Sequence, residues 1–384
     1  FWLQPRLAVP DPHSIQVAEE SAAGGAAAEP TTEAGPSIAV LPFVNMSADP
    51  DNEYFSDGLT ETLLHILAQL PELRVAARTS AFSFKGKDTS IAEIADTLNV
   101  AHVLEGSVQK ASGQVRITAQ LIRASDGFHV WSQSYTRPLE DIFAIQDEIA
   151  TEVVRALDES LVGGVDTELL GPATRSVDAY EVYLRALEQQ SVFSYASLAA
   201  AEGLFKRALA LDHGFVDARL GLARNHILMH ETGLLDLVET RKRVKPLLAQ
   251  VRESYDNHPQ ARAYDLIMAT VWPVAIMEMT TEERRVALAE LRGLLAAIPD
   301  DFLVRWRVAE MLEFLENDEQ AALEVLQGGL LVDPRSAFLY ARIGDLLRDM
   351  DRLEEAQAAL ERALELDPRQ PGIFPRLARL AAAR

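Results

Sequence analysis

A chain of 384 residues with 48% apolar composition is long enough for two domains, each with its own core. Its formal net charge of −22 repels phosphate backbones and anionic lipid head groups, which argues against direct nucleic-acid binding. The absence of cysteine excludes disulfides, thiolate zinc sites and a cysteine nucleophile, and leaves the redox compartment open.

The chain opens Phe1-Trp2-Leu3-Gln4-Pro5-Arg6 without methionine, and is expected to be a processed or truncated product. A tryptophan beside an apolar stub suits the last turn of a membrane helix; a disordered leader is the alternative. No long apolar run follows, so no helix within the chain is expected to cross a bilayer. Residues 1–36, with Gly24-Gly25, Pro30 and Pro36 and little to bury, read as a flexible membrane-proximal tether.

Order is expected from Ser37-Ile38-Ala39-Val40-Leu41, a short buried strand that Pro42 places at an edge or a bulge. Leu59, Leu63, Leu64, Ile66, Leu67 and Leu70 share one stripe, predicting a helix over 54–70 that Pro71 ends. A second strand is expected over 73–77. A short helix follows over 90–98, with Ser90 as cap and Glu93 three residues on. Three alternating runs, 101–110, 114–124 and 127–135, are separated by Ala111-Ser112-Gly113 and Ser125-Asp126-Gly127, the pattern of a β-meander. Helical period returns over 141–161, and Gly163-Gly164 and Gly171-Pro172 mark a linker over 162–175. The expected fold of 37–161 is an α/β sandwich: one sheet with helices on one face.

From 176 to 384 the pattern becomes repetitive. Asp333-Pro334 recurs as Asp367-Pro368, and the same helix precedes each: Ala322, Leu326, Gly329 and Val332, then Ala356, Leu360, Ala363 and Leu366. A third copy, Ala287, Leu291, Leu294 and Ile298, ends at Pro299, and a distant one, Ala201, Phe205, Ala208 and Leu211, ends at Asp212-His213. Small residues a turn from large ones let antiparallel helices approach closely, and proline closes each hairpin. Tyr340, Ile343, Gly344 and Leu347 stand where a tetratricopeptide (TPR) repeat has its Trp, Leu, Gly and Tyr, and this half resembles that family. The register between Gly214 and Trp272 is not readable. About four to five hairpins are expected to stack into an all-α solenoid.

In that solenoid the first helix of each hairpin lines a concave groove. The positions expected to be exposed there are Val304, Arg307, Met311, Phe314, Phe338, Ala341, Asp345 and Arg348, a mixture suited to a protein or peptide partner. Met311 and Phe314 as inter-repeat core is the competing reading.

The first domain carries Ile38-Ala39-Val40-Leu41-Pro42-Phe43, Tyr54-Phe55-Ser56-Asp57-Gly58-Leu59-Thr60, Arg74-Val75, Arg78-Thr79-Ser80 and Phe84-Lys85-Gly86. Further on come Val103-Leu104-Glu105-Gly106-Ser107-Val108, the run Val115 to Ile122, Val130-Trp131, and Phe143 to Ile149. In that order these segments resemble the TolB amino-terminal-like domain over about 37–161. Joined to tetratricopeptide repeats, such a domain implies the periplasmic part of a bacterial protein anchored to the inner membrane upstream of Phe1. The cytoplasmic module of such proteins is a nucleotide cyclase, a winged-helix regulator or a kinase. The resemblance implies a sensory or scaffolding ectodomain and no chemistry.

The residues themselves offer one small-ligand site. Asp57-Gly58 near a helix start, with Arg78, Ser80 and Lys85 in a nearby loop, suits a small anion. The alternative is an aspartate cap and basic residues paired with surface carboxylates. Asp49-Pro50-Asp51-Asn52-Glu53 lacks the glycine and distal glutamate of a calcium loop, and His226 with His230 lacks a third ligand. Phe128 and Trp131 read as sheet packing or as an exposed platform. No nucleophile elbow, phosphate loop or dinucleotide fingerprint occurs, so no catalytic residue, metal or cofactor is assigned. Homodimerisation is left open.

Overall fold

A computed structural model describes residues 36–383 apart from 69, 71, 158–173, 272–277, 369 and 371. The tether over 1–35, most of the expected linker, the helix stop at Pro71, and Trp272 with Pro273 lie outside the described residues. No helix among the described residues is long and apolar enough to cross a membrane.

Strand β1 (Ser37–Val40) is buried along its whole length, because it runs parallel between β3 (Arg74–Val75) and β4 (His102–Ala111). A two-residue strand, β2 (Val44–Asn45), continues the pairing with β4. Between them the register slips: Val40 faces Leu104 and Val44 faces Ser107, four steps against three. Pro42, which has no N–H to give, occupies that bulge in a central strand. The Phe43 N–H leaves the sheet and donates to Thr60 Oγ1 at 2.9 Å. Gly106 of β4 lies over the Phe43 ring, where a Cβ would come within 2.5 Å of it.

The meander is β4, β5 (Gln114–Arg123) and β6 (His129–Pro138), all antiparallel. Ser112 and Gly113 both take positive φ, 51° and 74°, which a two-residue hairpin of type I′ requires. The sheet order is β3-β1-β4-β5-β6, with β2 beside β4.

Alternation along β1 sends Ile38 and Val40 to one face and Ala39 and Leu41 to the other. Helices α1 (Glu53–Ala68) and α4 (Ile142–Leu157) cover the first face, where Val115, Ile117, Ala119 and Leu121 of β5 also point. On the second face Ile94, Ala95 and Leu98 of α3 (Ile91–Leu98) pack on Ala39, Leu41 and Val103. The expectation of helices on one face is therefore corrected: the inner strands are hydrophobic on both sides and are covered on both. A one-turn helix, α2 (Arg78–Phe82), is too short to leave a periodic signal in the sequence. The Ser90–Glu93 capping box of α3 forms as its sequence signature implies.

Five helical hairpins follow among the described residues. They are α5 (Val177–Ser191) with α6 (Tyr195–Leu211), α7 (Val216–Glu231) with α8 (Leu237–Ser254), α9 (Pro259–Ala269) with α10 (Thr281–Ala297), α11 (Phe302–Phe314) with α12 (Glu319–Leu330), and α13 (Ala337–Asp349) with α14 (Leu353–Leu366). Helix α15 (Ile373–Ala383) packs on the last pair. The small positions act as the spacing implies: a Cβ on Gly221 would meet Phe205 at 2.5 Å, and one on Gly344 would meet Leu360 at 2.6 Å. The unreadable stretch is helical too, with Pro246 inside α8 and Pro259 at the first turn of α9.

The sheet domain, the first hairpin and the start of α7 share one core. Ala179, Tyr180, Leu184, Phe215 and Ala218 pack in the same cluster as α1 and α4. Tyr180 OH meets Thr62 Oγ1 of α1 at 2.6 Å and accepts from Gln146 Nε2 of α4 at 2.7 Å. Gly58 makes the approach of α5 to α1 feasible, since a Cβ there would sit 2.4 Å from Leu184.

Candidate functional sites

The five residues considered for a small anion, Asp57, Gly58, Arg78, Ser80 and Lys85, do converge on one side of the sheet domain, but each already has a structural partner. Lys85 Nζ contacts Asp57 Oδ1 at 2.6 Å and Glu53 Oε1 at 2.7 Å, and Arg78 Nε donates to Glu61 Oε2 at 3.0 Å. Asp57 lies inside α1, one turn after its start at Glu53, rather than capping it. Burial pushes its carboxyl above the usual range, and Lys85 opposes that shift. Gly58 is filled by Leu184, as described above.

Ser80 faces the repeats. Its hydroxyl donates to Asp333 Oδ1 at 2.6 Å and accepts from the Arg335 N–H at 2.9 Å, while the Ala77 N–H donates to the Val332 carbonyl at 2.9 Å. The Arg335 guanidinium lies over the Phe84 ring. Phe215, in the turn before α7, lies in the core beside α1. His65 of α1 is within electrostatic reach of His258 and Asp300, in the turns before α9 and α11. The sheet domain thus rests along the row of inter-repeat turns that the proline signature marks. On the first hairpin, Lys110 of β4 pairs with Glu181 of α5.

The groove positions divide. Val304, Met311 and Ala341 are core between repeats, at 0%, 2% and 0% exposure, which corrects their expected exposure. Phe338 is half-buried and fixed by rings, 5.1 Å from Trp306 and 4.8 Å from Phe302 between centroids. Arg307 is buried at 5% exposure between Glu231 of α7, at 3.4 Å, and Glu310 of its own helix. Burial raises the Glu231 carboxyl, and Arg307 opposes it. The pair spans two repeats because α9, the shortest of the five first helices, ends before it: Thr270, just past α9, lines a shallow cavity with Arg307, Glu310, Met311, Phe314 and Leu315. Phe314 is 47% exposed at the rim of that cavity.

Asp345 is 6% exposed and Arg348 half-buried, and they meet at 3.3 Å. Three residues outside the sequence reading join them: Arg342, Arg376 and Arg379. The signal was present as Arg342, Asp345 and Arg348 at threefold spacing on α13, and Arg376 and Arg379 at the same spacing on α15.

The remaining candidates are also placed. His226 is buried, with its charge disfavoured by burial against the pull of Glu202 at 3.4 Å, and His230 Nδ1 lies 3.1 Å from the Leu235 carbonyl. The two do not form a surface pair, and no cluster of metal-binding groups occurs among the described residues. Asp49 accepts from the Asp51 N–H and caps a short 3-10 turn. Trp131 packs on the sheet core, while Phe128 is exposed at the β5–β6 turn.

Comparison with known proteins gives two family matches. Residues 34–162 match the second domain of HilA/YgeH-like transcriptional regulators, and residues 339–370 match the tetratricopeptide repeat. The tetratricopeptide match falls on the last hairpin, α13 with α14. A curated relative, "Putative adenylate cyclase 3" of Rhizobium meliloti (strain 1021), is 36% identical over 256 residues. That alignment covers 64% of this chain and 42% of the relative, so the chain spans less than half of that protein. Among solved structures, a thermophilic TPR protein of Thermus thermophilus is 19% identical, with TM-score 0.39, over 53% of this chain and 98% of its own. TolB of Acinetobacter baumannii is 15% identical, with TM-score 0.27, over 33% of this chain and 29% of its own.

Proposed function

We propose that this chain is a non-catalytic sensory and scaffolding part of a signalling protein, holding a protein or peptide partner on the inner face of its repeats and on the sheet domain beside them. The observation that carries the reading is the attachment of the sheet domain to the inter-repeat turns: it uses their edge and leaves the first-helix face of α11, α13 and α15 to a partner. The repeats are a fold commonly used for such binding, and the relative named as a cyclase suggests a catalytic module elsewhere in a longer protein. Placement in the periplasm on an inner-membrane anchor rests on the resemblance of the first domain to the TolB amino-terminal-like domain.

Two experiments test this. A displayed peptide library selected on the purified chain should yield binders that Phe314→Asp and Arg348→Glu weaken; binders indifferent to both substitutions move the site off the inner face. Alkaline phosphatase fused after residue 384 in the parent gene should be active if the chain lies outside the cytoplasm, and an inactive but stable fusion overturns that placement.

A further inference from the structure

The sheet has two edges, β3 and β6. Strand β3 is two residues long and leads to Ala77, whose N–H donates to the Val332 carbonyl of the repeats. Strand β6 is ten residues long, and along its outer side no backbone group has a partner among the described residues. The ladder with β5 tells which groups those are. Residues opposite one another in an antiparallel pair exchange both hydrogen bonds at every second position. The Leu139 N–H donates to the Gly113 carbonyl and the Arg123 N–H to the Phe128 carbonyl, so both ends of the ladder give the same phase. Gln133, Tyr135 and Arg137 therefore bond to β5, while Ser132, Ser134 and Thr136 turn their N–H and C=O groups outward. The side chains agree. The Thr118 and Ser134 hydroxyls meet at 2.9 Å and Arg116 Nε donates to Thr136 Oγ1 at 3.2 Å, the close approach of pairs that share no backbone bonds.

Native edges are kept from pairing by lysine, proline, bulges or a covering element. Here the bulge, at Val130, and the proline, Pro138, stand at the two ends of the stretch 131–137 and leave its middle open. That stretch has no lysine and no carboxylate, and Ser132, Ser134 and Thr136 are exposed. Its one charge, Arg137, is held by both oxygens of Glu148 at 2.9 Å.

We propose that β6 pairs with β6 of a second copy of this chain, antiparallel and centred on Ser134, so that two sheets become one. In that register Ser134 faces its own copy and Ser132 faces Thr136 on either side, which joins every outward group of the stretch in about six hydrogen bonds. A register centred on Gln133 instead leaves Thr136 against the bulge. The intervening pairs set Trp131 on Arg137, ring against guanidinium, at both ends of the seam. Every copy carries the same unguarded edge, and an antiparallel twofold uses both at once. Because β3 offers no second free edge, the pairing closes as a dimer and does not grow into a fibre. The seam is independent of what the repeats hold.

Sedimentation velocity on the whole chain over a concentration series should show a reversible dimer, strengthened by added salt because two chains of net charge −22 repel one another. Ser134→Lys and Ser134→Asp, at an exposed position, set like charges across the axis; each alone should weaken the dimer by about fivefold or more. An equal mixture of the two should recover it. The chain has no cysteine, so Ser134→Cys supplies a sole thiol. The Cα atoms of a hydrogen-bonded antiparallel pair stand about 5.5 Å apart, within disulfide range. Mild oxidation should therefore link this variant into a covalent dimer much faster than Ser125→Cys, at the exposed β5–β6 turn. A monomer at every concentration overturns the proposal, as does a dimer that Ser134→Lys leaves intact, which meets elsewhere. Equal linking rates for the two cysteines overturn the register.

Discussion

The Ser80 hydroxyl and the Asp333 carboxylate, 253 positions apart in the chain, meet at 2.6 Å and close the sheet domain onto the turn between the fourth and fifth hairpins. Ser80 is fully buried, and its oxygen also accepts the Arg335 N–H. Ser80→Ala removes one of the hydrogen bonds to the Asp333 carboxylate and the acceptor of the Arg335 N–H. The expected cost is about 1–3 kcal/mol, read as a lower urea midpoint with unchanged slope. An unchanged midpoint would show that the contact does not hold the domains together.

Asp333 also sets a pH dependence. Burial raises its carboxyl above the ordinary aspartate value, against hydrogen bonds from Ser80, Ser336 and Thr79. A folded-state value above the unfolded one means stability that is complete below the unfolded pKa and lost as pH rises through the folded one. Asp333→Asn stays neutral throughout while keeping an acceptor for Ser80. Its stability relative to the parent should therefore rise as pH increases from the ordinary aspartate value towards neutral, measured by denaturation at a series of pH values. A relative fall over that interval would contradict the assignment.

Gly58 is where α1 and α5 touch. Gly58→Ala drives a methyl to 2.4 Å from the Leu184 side chain, and overpacking of this kind costs about 1–3 kcal/mol. Adding Leu184→Ala should recover part of that loss although it is itself a cavity mutation, because the two side chains contest one volume. Simple additivity in a double-mutant cycle would argue against the contact.

Arg307 is better regarded as a fastening than as a ligand contact. Arg307→Ala strands Glu231 and Glu310 with their charges, and breaking a buried pair costs about 3–5 kcal/mol. The partly exposed glutamates place this pair toward the lower end. Arg307→Met with Glu231→Leu should restore most of the lost stability, and thermal unfolding distinguishes the two variants. Equal destabilisation by both would mean that packing, not charge, governs the position.

Local features are legible in the sequence because their causes are local. The Ser90–Glu93 capping box, the Ser112-Gly113 turn and the spacing of Ala356, Leu360 and Ala363 each involve residues within one turn or one hairpin. Pro42 in its sequence context fits an edge or a bulge, and only the pairing of β1 and β2 with one partner strand selects the bulge. Residues set by curvature are not legible. Whether Arg307 lines a groove or bridges α7 to α11 depends on how far α9 extends, and proline-interrupted periodicity between 214 and 272 hides that length. Ser80 resembles a ligand residue for a related reason: a polar residue in a short loop has the same appearance whether its partner is a small molecule or a distant part of the chain.

In a helical-repeat array each repeat contacts only its neighbours, so the curve is the sum of small rotations from one repeat to the next. Here Tyr180 fastens the first hairpin to α1 and α4, while Ser80 fastens the turn before α13. Between these two points Phe215 and Ala218 also pack in the core beside α1, so the sheet domain follows the turns along the span. A change in the curve from α5 to α13 therefore has to move α1 and α2 as well, so bending of the repeats is felt in the helices that cover the sheet.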